Sequence, residues 1–210
     1  MTSVRDIMTL SPVIPVLTIA DAAHARPIAE ALVAGGLKAL EVTLRTPAAF
    51  EAMREMARVE GAVVGAGTVL NPLQLAASLE AGAQFIVSPG LTERLALGAR
   101  EAGVAFLPGI ATAGDIMRGL DLELSHFKFF PAEAAGGRKA LTSLAAPFHQ
   151  ARFCPTGGVS AANAADWLAI PAVLCVGGSW LVPAGPPNLA AIRKAASEAA
   201  QLGRPALSAP

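Results

Sequence analysis

The chain carries little charge and has no excess of either sign. Only 15% of its 210 residues are charged, and its 16 basic residues balance its 16 acidic residues. Without a basic patch or an acidic tail, the sequence argues against nucleic acid as a partner and against a solvating interaction segment. The hydrophobic content of 53% instead predicts a folded chain with a large core.

Cysteines and long apolar runs are also scarce. Cys154 and Cys175 lie in separate apolar segments, and we expect them to be buried thiols of a reduced protein. No segment reaches the roughly 18 consecutive apolar residues that a membrane helix needs. The first residues lack the basic region and clean apolar stretch of a signal peptide. These absences predict a cytoplasmic protein with no membrane partner.

Lysine is rare as well, with four residues in the chain. Lys128 lies in HFKFFP (126–131), one of the most apolar stretches of the sequence. Its ammonium group either reaches water at the surface of a strand or is buried. Burial of an ammonium group favours the neutral amine, which is a nucleophile toward carbonyl carbons.

Short apolar runs alternate with alanine-rich helical patterns at regular intervals along the whole chain. Strands that alternate with helices predict parallel pairing. Eight such units without a composition break predict a minimal (β/α)₈ TIM barrel of the α/β class, with residues 1–210 as one domain. An open doubly wound sheet is the alternative. The predicted strands are Val13–Thr18, Ala39–Leu44, Ala62–Thr68, Phe85–Ser88, Ala105–Gly109, His126–Pro131, Arg152–Thr156 and Val173–Gly177.

Helix boundaries are marked by capping residues. Ser, Thr, Asp and Asn satisfy free N–H groups at a helix start, and proline fits the first turn. Glycine suits the left-handed position that follows many helices, as at Gly35-Gly36, Gly82 and Gly103. Four helices are predicted with their start signals: Ala22–Ala34 after Asp21, Ala48–Val59 after Thr46-Pro47, Leu73–Ala81 after Asn71-Pro72, and Ala161–Leu168 after Ser160.

Two of the predicted strands direct charged groups into the barrel. Side chains alternate between the interior and the helix layer, and in ALEVTLR (39–45) apolar residues alternate with Glu41, Thr43 and Arg45. In the sixth strand, flanking phenylalanines belong to the helix side, so Lys128 points inward. The pair is either a buried structural ion pair or a nucleophilic lysine with a carboxylate that transfers protons.

Two glycine pairs follow the last two strands, in PTGGVS (155–160) and VGGSW (176–180). The loops after the seventh and eighth barrel strands frequently bind phosphate, because small residues let backbone N–H groups approach the oxygens. A single Gly-Gly pair is typical of a tight turn. Two pairs in consecutive loops, each followed by serine, predict a phosphate site.

These motifs resemble the 2-keto-3-deoxy-6-phosphogluconate aldolases, class I (Schiff-base) lyases of the Entner–Doudoroff pathway. The similarity runs in order along nearly the whole chain, and LEVTLRT with FKFFPAE is its most specific part. The matching segments are PVIPVLTI (12–19), LEVTLRT (40–46), GAGTVL (65–70), FIVSPG (85–90), FLPGI (106–110), FKFFPAE (127–133), FCPTGG (153–158) and GGSWLVP (177–183).

The resemblance implies a role for each matching site residue. Lys128 would form the Schiff base, and Glu41 would be the general acid–base. Arg45 and Thr68 would hold the substrate carboxylate, with Phe130 beside the reacting carbons. The remaining expected substrate contacts, which include the phosphate site, are Pro89, Thr156, Gly157, Gly158, Gly178 and Ser179.

The resemblance also implies cleavage of a phosphorylated 2-keto acid to pyruvate and D-glyceraldehyde 3-phosphate by a homotrimer. No metal or organic cofactor is expected, in keeping with His24, His126 and His149 lying on separate elements. The 4-epimeric phosphogalactonate derivative and 4-hydroxy-2-oxoglutarate are alternative substrates. A phosphate-binding isomerase or epimerase, and a non-catalytic phosphosugar-binding protein, are alternatives of other classes.

Overall fold

Nine short parallel strands define the centre of the molecule. The structure, a computed structural model, describes residues 3–203. The strands are β1 (Val13–Leu17), β2 (Ala39–Thr43), β3 (Val63–Gly67), β4 (Phe85–Val87), β5 (Ala105–Leu107), β6 (Gly109–Ile110), β7 (His126–Phe129), β8 (Arg152–Pro155) and β9 (Val176–Gly178).

These strands close into a barrel of eight. The pairing order β5-β4-β3-β2-β1-β9 is continued by β6-β7-β8, and all pairs are parallel. Parallel bridges from Phe153 to Val173 and from Thr156 to Gly177 close the ring between the last two strands. β5 and β6 are two parts of one barrel strand interrupted at Pro108, so the nine strands make eight barrel positions. The predicted (β/α)₈ barrel is therefore confirmed.

Helices surround the barrel on the outside. Gly36, Gly82 and Gly103 follow helices with positive φ, as predicted. Gly35 has a φ of −82°, so only the second glycine of the Gly35-Gly36 pair is left-handed. Within residues 3–203, no helix has the length and apolar character needed to cross a membrane. The helices are α1 (Val4–Thr9), α2 (Ala25–Ala34), α3 (Ala49–Ala57), α4 (Pro72–Glu80), α5 (Glu93–Glu101), α6 (Ala113–Asp121), α7 (Gly137–Ala145), α8 (Ala164–Leu168) and α9 (Leu189–Ala200), with a 3₁₀ turn at Ala22–His24.

Two strand predictions were wrong in detail. The fifth strand is interrupted because Pro108 has no N–H to donate to a neighbouring strand. Its carbonyl oxygen nevertheless accepts from the Lys128 N–H at 2.8 Å. The last strand begins at Val176 rather than Val173, because the Val173 N–H is used in a turn to Ile170. The predicted order and number of barrel strands are unaffected.

The helix start signals were right at Asn71 and wrong at Thr46 and Ser160. The Asn71 side chain accepts from the Gln74 N–H at the start of α4. Thr46 instead donates its hydroxyl to the Ile19 carbonyl at 2.6 Å, and α3 begins only at Ala49. A turn follows Ser160, so α8 is shorter than predicted and begins at Ala164. Asp21 caps the 3₁₀ turn that precedes α2.

The hydrophobic core has two parts that follow the alternation of the strands. Leu40, Val42, Phe127 and Phe129 belong to the large cluster between the barrel and the helices. A smaller cluster fills the barrel interior and includes Ile14, Ala39, Phe85, Val87, Leu107, Leu174 and both cysteines. The two faces of each strand therefore separate as the sequence predicts.

The amino-terminal helix α1 closes the base of the barrel and was not predicted. Ile7 and Met8 are buried in the inner cluster, against the starts of several strands. The helix begins with a capping box in which Ser3 and Asp6 exchange hydrogen bonds. The Ser3 backbone bond contributes most to lowering the pKa of the Asp6 carboxyl, followed by the Ser3 side-chain bond.

His126 lies at this base, at the start of β7. Its Nδ1 is 3.1 Å from the Ser125 hydroxyl, whereas its buried Nε2 has no hydrogen-bond partner among the described residues. Burial, then the neighbouring Arg5 and Arg152, lower its pKa from 6.5 to about 4. Between about pH 6.5 and 4, the imidazole therefore stays neutral in the folded protein, whereas it gains a proton in the unfolded chain.

We expect His126→Gln to flatten the pH dependence of stability between pH 6.5 and 4. In this window the unfolded chain binds more protons, so the wild-type free energy of unfolding falls as the pH falls. With partial solvent screening, the histidine accounts for about 1–2 kcal/mol of that fall. Urea unfolding at several pH values measures it. The exposed His149→Gln serves as control, and equal profiles for all three proteins would contradict the prediction.

Candidate active site

The centre of the barrel holds one buried ion pair. The Lys128 Nζ on β7 lies 3.1 Å from the Glu41 Oε1 on β2, although the residues are 87 positions apart in sequence. Their strands are four places apart in a ring of eight, so the side chains meet from opposite walls. Both residues are buried, with 4% and 3% of their surface exposed. The inward orientation predicted for both is confirmed.

Gly67 makes room for the Glu41 carboxylate. A Cβ atom at Gly67 would lie 2.2 Å from the Glu41 Oε1, well inside contact distance. Glycine at this position of β3 thus allows the carboxylate to lie flat against the neighbouring strand. Gly67 belongs to the GAG segment (65–67) of the sequence, but its role as space for Glu41 was not predicted.

Thr43, the second polar residue predicted on this face, has a structural role. Its hydroxyl donates to the Leu17 carbonyl at 2.9 Å and lies 3.1 Å from the Thr18 hydroxyl. These bonds satisfy the buried hydroxyl. Arg45, the third residue of the face, is exposed just beyond the end of β2.

Phe130 connects the ion pair to the loop after β8. The Lys128 Nζ lies over the Phe130 ring, 5.3 Å from its centre, a cation–π distance. A Cβ atom at Gly157 would lie 3.4 Å from the same ring. The aromatic side chain therefore lies between Lys128 and the first glycine-rich loop.

The other predicted site residues lie at the carboxyl-terminal ends of their strands, and so at one mouth of the barrel. Thr68 follows β3 with a φ of 60°, a left-handed conformation that is strained for a β-branched residue. Pro89 is half-buried beyond β4, and its carbonyl packs tightly against Gly109. Arg45 lies at the same mouth.

The two glycine-rich loops adjoin each other. The bridge between Thr156 and Gly177 joins them, and Gly177 leaves space for the Thr156 side chain. Gly157 and Gly158 have φ values of 98° and 80°, which favour glycine. The two loops therefore lie next to each other, as a shared phosphate site would require.

Gly178 has a packing role that the sequence did not reveal. A Cβ atom at this position would lie 2.0 Å from the Trp180 ring. Its missing side chain therefore accommodates the indole, and the exposed Ser179 follows immediately. Phosphate binding by Gly178 and Ser179 stays a prediction.

The fold and site together define a class: a (β/α)₈-barrel protein with an amine and a carboxylate in contact inside the barrel, beneath a mouth lined by glycine-rich loops. The chain belongs to the KDPG and KHG aldolase family, whose sequence profile matches residues 4–195.

Individual relatives resemble the chain over almost its full length. The 2-dehydro-3-deoxy-phosphogluconate aldolase of Zymomonas mobilis is 56% identical over 99% of this chain and 100% of its own. The 2-keto-3-deoxy-6-phosphogluconate aldolase of Zymomonas mobilis, in a crystal structure with 3-phosphoglycerate, is 56% identical in sequence. The two structures match with a TM-score of 0.96 over 99% of this chain and 100% of that one. The Legionella pneumophila KDPG aldolase, whose crystal structure holds pyruvate captured as a covalent carbinolamine, is 41% identical in sequence. Its structure matches with a TM-score of 0.92 over 95% of this chain and 99% of that one.

Proposed function

We propose that the chain is a class I aldolase that reversibly cleaves 2-dehydro-3-deoxy-6-phosphogluconate to pyruvate and D-glyceraldehyde 3-phosphate. The observation that carries this proposal is the buried contact between Lys128 and Glu41. The carbinolamine in the Legionella relative and the 3-phosphoglycerate in the Zymomonas structure support covalent amine chemistry and a phosphorylated substrate.

The first half of the reaction forms an imine. Glu41 takes a proton from the Lys128 ammonium across the 3.1 Å contact, and the neutral amine attacks the C2 carbonyl carbon. The resulting carbinolamine loses its hydroxyl as water, with Glu41 returning the proton. The product is a protonated imine that can accept an electron pair.

The second half breaks the carbon–carbon bond. Glu41 removes the proton of the C4 hydroxyl, and the electron pair of the C3–C4 bond moves into the imine to form an enamine. D-glyceraldehyde 3-phosphate leaves, and Glu41 returns its proton to C3. Water then hydrolyses the imine and releases pyruvate. Glu41 therefore handles one proton at a time, and Lys128 is regenerated.

The mouth residues bind the two ends of the substrate in this proposal. Arg45 and Thr68 hold the carboxylate, and Phe130 and Pro89 line the space around the reacting carbons. At the other end, backbone N–H groups near Gly157, Gly158, Gly178 and Ser179 receive the phosphate, with Thr156 between the two ends. Their common location at the carboxyl-terminal mouth supports this arrangement.

The proposal further includes a cytoplasmic enzyme of the Entner–Doudoroff pathway that assembles as a homotrimer. Residues 1–210 form one domain in this proposal. Leu73 on α4, Leu97 on α5 and Met117 on α6 are exposed apolar side chains that a subunit interface would cover. Sedimentation velocity measures the assembly, and a monomer at assay concentration would exclude the trimer.

Covalent trapping tests the proposed class of function. Incubation with pyruvate and borohydride should inactivate the enzyme and add one pyruvate-derived group per chain. An isomerase, an epimerase or a non-catalytic phosphosugar-binding protein would gain no such group. Cleavage assays then rank the substrates, and kcat/KM should be highest for the phosphogluconate derivative, above its 4-epimer and 4-hydroxy-2-oxoglutarate.

We expect Thr68→Gly to separate stability from substrate binding. Glycine adopts the φ of 60° without strain, so the free energy of unfolding should stay equal or rise by about 1 kcal/mol. Loss of a hydroxyl bond to the substrate carboxylate should raise the pyruvate concentration for half-maximal trapping by about tenfold. Urea unfolding and trapping titrations measure the two effects.

A matched control exists at Glu123, which has a φ of 63° at the opposite end of the barrel. Glu123→Gly should relieve similar strain and leave trapping unchanged. If both variants left the trapping concentration unaltered, Thr68 would lie outside the carboxylate site.

A further inference from the structure

Glu133 lies in the loop after β7 and contacts α8, a helix that carries none of the proposed catalytic or substrate-binding residues. Its Oε1 accepts from the Trp167 indole N–H on α8 at 3.2 Å and from the Asn163 side-chain amide at 3.4 Å. Glu133 thus connects the loop that follows the Lys128 strand to α8 and to Asn163, the residue before it.

Asn163 holds both sides of the turn after Gly158. Its side-chain amide donates to the Gly158 carbonyl at 3.1 Å, and its Oδ1 accepts from the Ser160 N–H at 2.8 Å. One amide side chain therefore fixes two backbone groups of the first glycine-rich loop and also contacts Glu133.

The glycine-rich loop is interlocked with Glu133 itself. The Glu133 N–H donates to the Gly157 carbonyl at 3.0 Å, and the Ala132 N–H donates to the Thr156 carbonyl at 2.8 Å. A Cβ atom at Gly158 would lie 2.5 Å from the Glu133 Cγ. The left-handed Gly157 and Gly158 are therefore held from one side by backbone bonds and from the other by a side chain.

We propose that Glu133 and Asn163 are positioning residues that fix the Gly157–Gly158 turn in the shape that receives the substrate phosphate. The inference rests on the proposed function, because it presumes that this loop binds phosphate. A carboxylate beside an anion site repels the anion, so the charge of Glu133 cannot favour binding. Its contribution is geometric: it supplies acceptor oxygens to Trp167 and Asn163.

Glu133 is both a hydrogen-bond acceptor and a negative charge, and two variants separate these properties. Glu133→Ala removes the acceptor, and KM for the phosphorylated substrate should rise about tenfold. Glu133→Gln keeps an acceptor oxygen and removes the charge, so KM should stay within about twofold of wild type or fall. Turnover of 4-hydroxy-2-oxoglutarate, which has no phosphate, should change less than about twofold in either variant.

Steady-state kinetics on both substrates measure these effects, with Asp166→Asn as the matched control. Asp166 forms a 2.7 Å ion pair with Arg138 that joins α7 to α8, so it anchors the same helix α8 without bonding to the glycine-rich loop. This variant should keep the wild-type KM. If Glu133→Ala folds poorly in thermal unfolding, Asn163→Ala replaces it and should raise KM for the phosphorylated substrate alone.

Three outcomes would overturn the inference: an unchanged KM in Glu133→Ala or its replacement, an equal loss for both substrates, or a Gln variant as impaired as Ala. These are distinct from failure of the proposed function. If the wild type itself shows no preference for the phosphorylated substrate, or is not trapped by pyruvate, the proposed function fails. If the wild type shows both and the variants retain them, only the positioning role fails.

Discussion

Lys128→Arg should abolish both cleavage and covalent labelling by pyruvate. A guanidinium stays protonated and cannot form an imine, so kcat should fall by about 10⁴-fold or more, on the order seen when a covalent nucleophile is removed. The arginine keeps the positive charge opposite Glu41. The buried carboxylate therefore retains a partner, and the loss is expected to be chemical rather than a failure to fold.

Mass spectrometry after borohydride trapping identifies the labelled lysine. In the wild type the pyruvate-derived group should map to Lys128. The other lysines, Lys38, Lys139 and Lys194, are all exposed, and their arginine variants provide matched controls that should label normally. Labelling at any of these three in the wild type would contradict the assignment of Lys128.

The central pair was predictable because strand alternation is a strong constraint. Phe127 and Phe129 had to face the helices, which directed Lys128 inward, and the apolar neighbours of Glu41 did the same on β2. Two charged groups inside one barrel can avoid the cost of burial by meeting. Their contact therefore followed from the sequence pattern, although the 3.1 Å distance did not.

Features that depend on contacts between distant segments were not predictable in this way. Helix α1 has six residues, too few for a clear periodic pattern. Thr46 is a residue type that often caps helices, but its hydroxyl donates instead to the Ile19 carbonyl, in the loop after β1. The bonds of Glu133 to Trp167 and Asn163 join residues 34 and 30 positions apart, and a single sequence contains no signal for such pairs.

The glycines also divide into those predictable from local sequence and those that depend on contacts with distant residues. The positive φ of Gly36, Gly82 and Gly103 follows from their places after helices, a local rule. Gly67 and Gly178 are needed for another reason, since their missing side chains leave space for Glu41 and Trp180. A glycine that accommodates a neighbouring side chain looks in sequence like any other glycine in a strand.

Glu41→Gln should lower kcat by roughly 10²–10⁴-fold, the usual effect of losing a general acid–base. Glutamine has nearly the same size, so it still fits in the space beside Gly67. It cannot, however, take the proton of the C4 hydroxyl or return one to C3. Formation of the pyruvate imine should be impaired much less, because the amine of Lys128 remains and can exchange its proton with water.

Exchange of the pyruvate methyl protons for deuterium isolates this proton transfer from cleavage. The enamine forms from the pyruvate imine only when a base removes a C3 proton, so exchange in Glu41→Gln should slow by the same roughly 10²–10⁴-fold as kcat. Borohydride labelling of Lys128 should persist. Glu51→Gln, at an exposed position on α3, should leave both rates unchanged. Near-normal kcat and exchange in Glu41→Gln would instead make Glu41 only the structural partner of Lys128, and the proton transfers would then have to be assigned to another group at the mouth of the barrel.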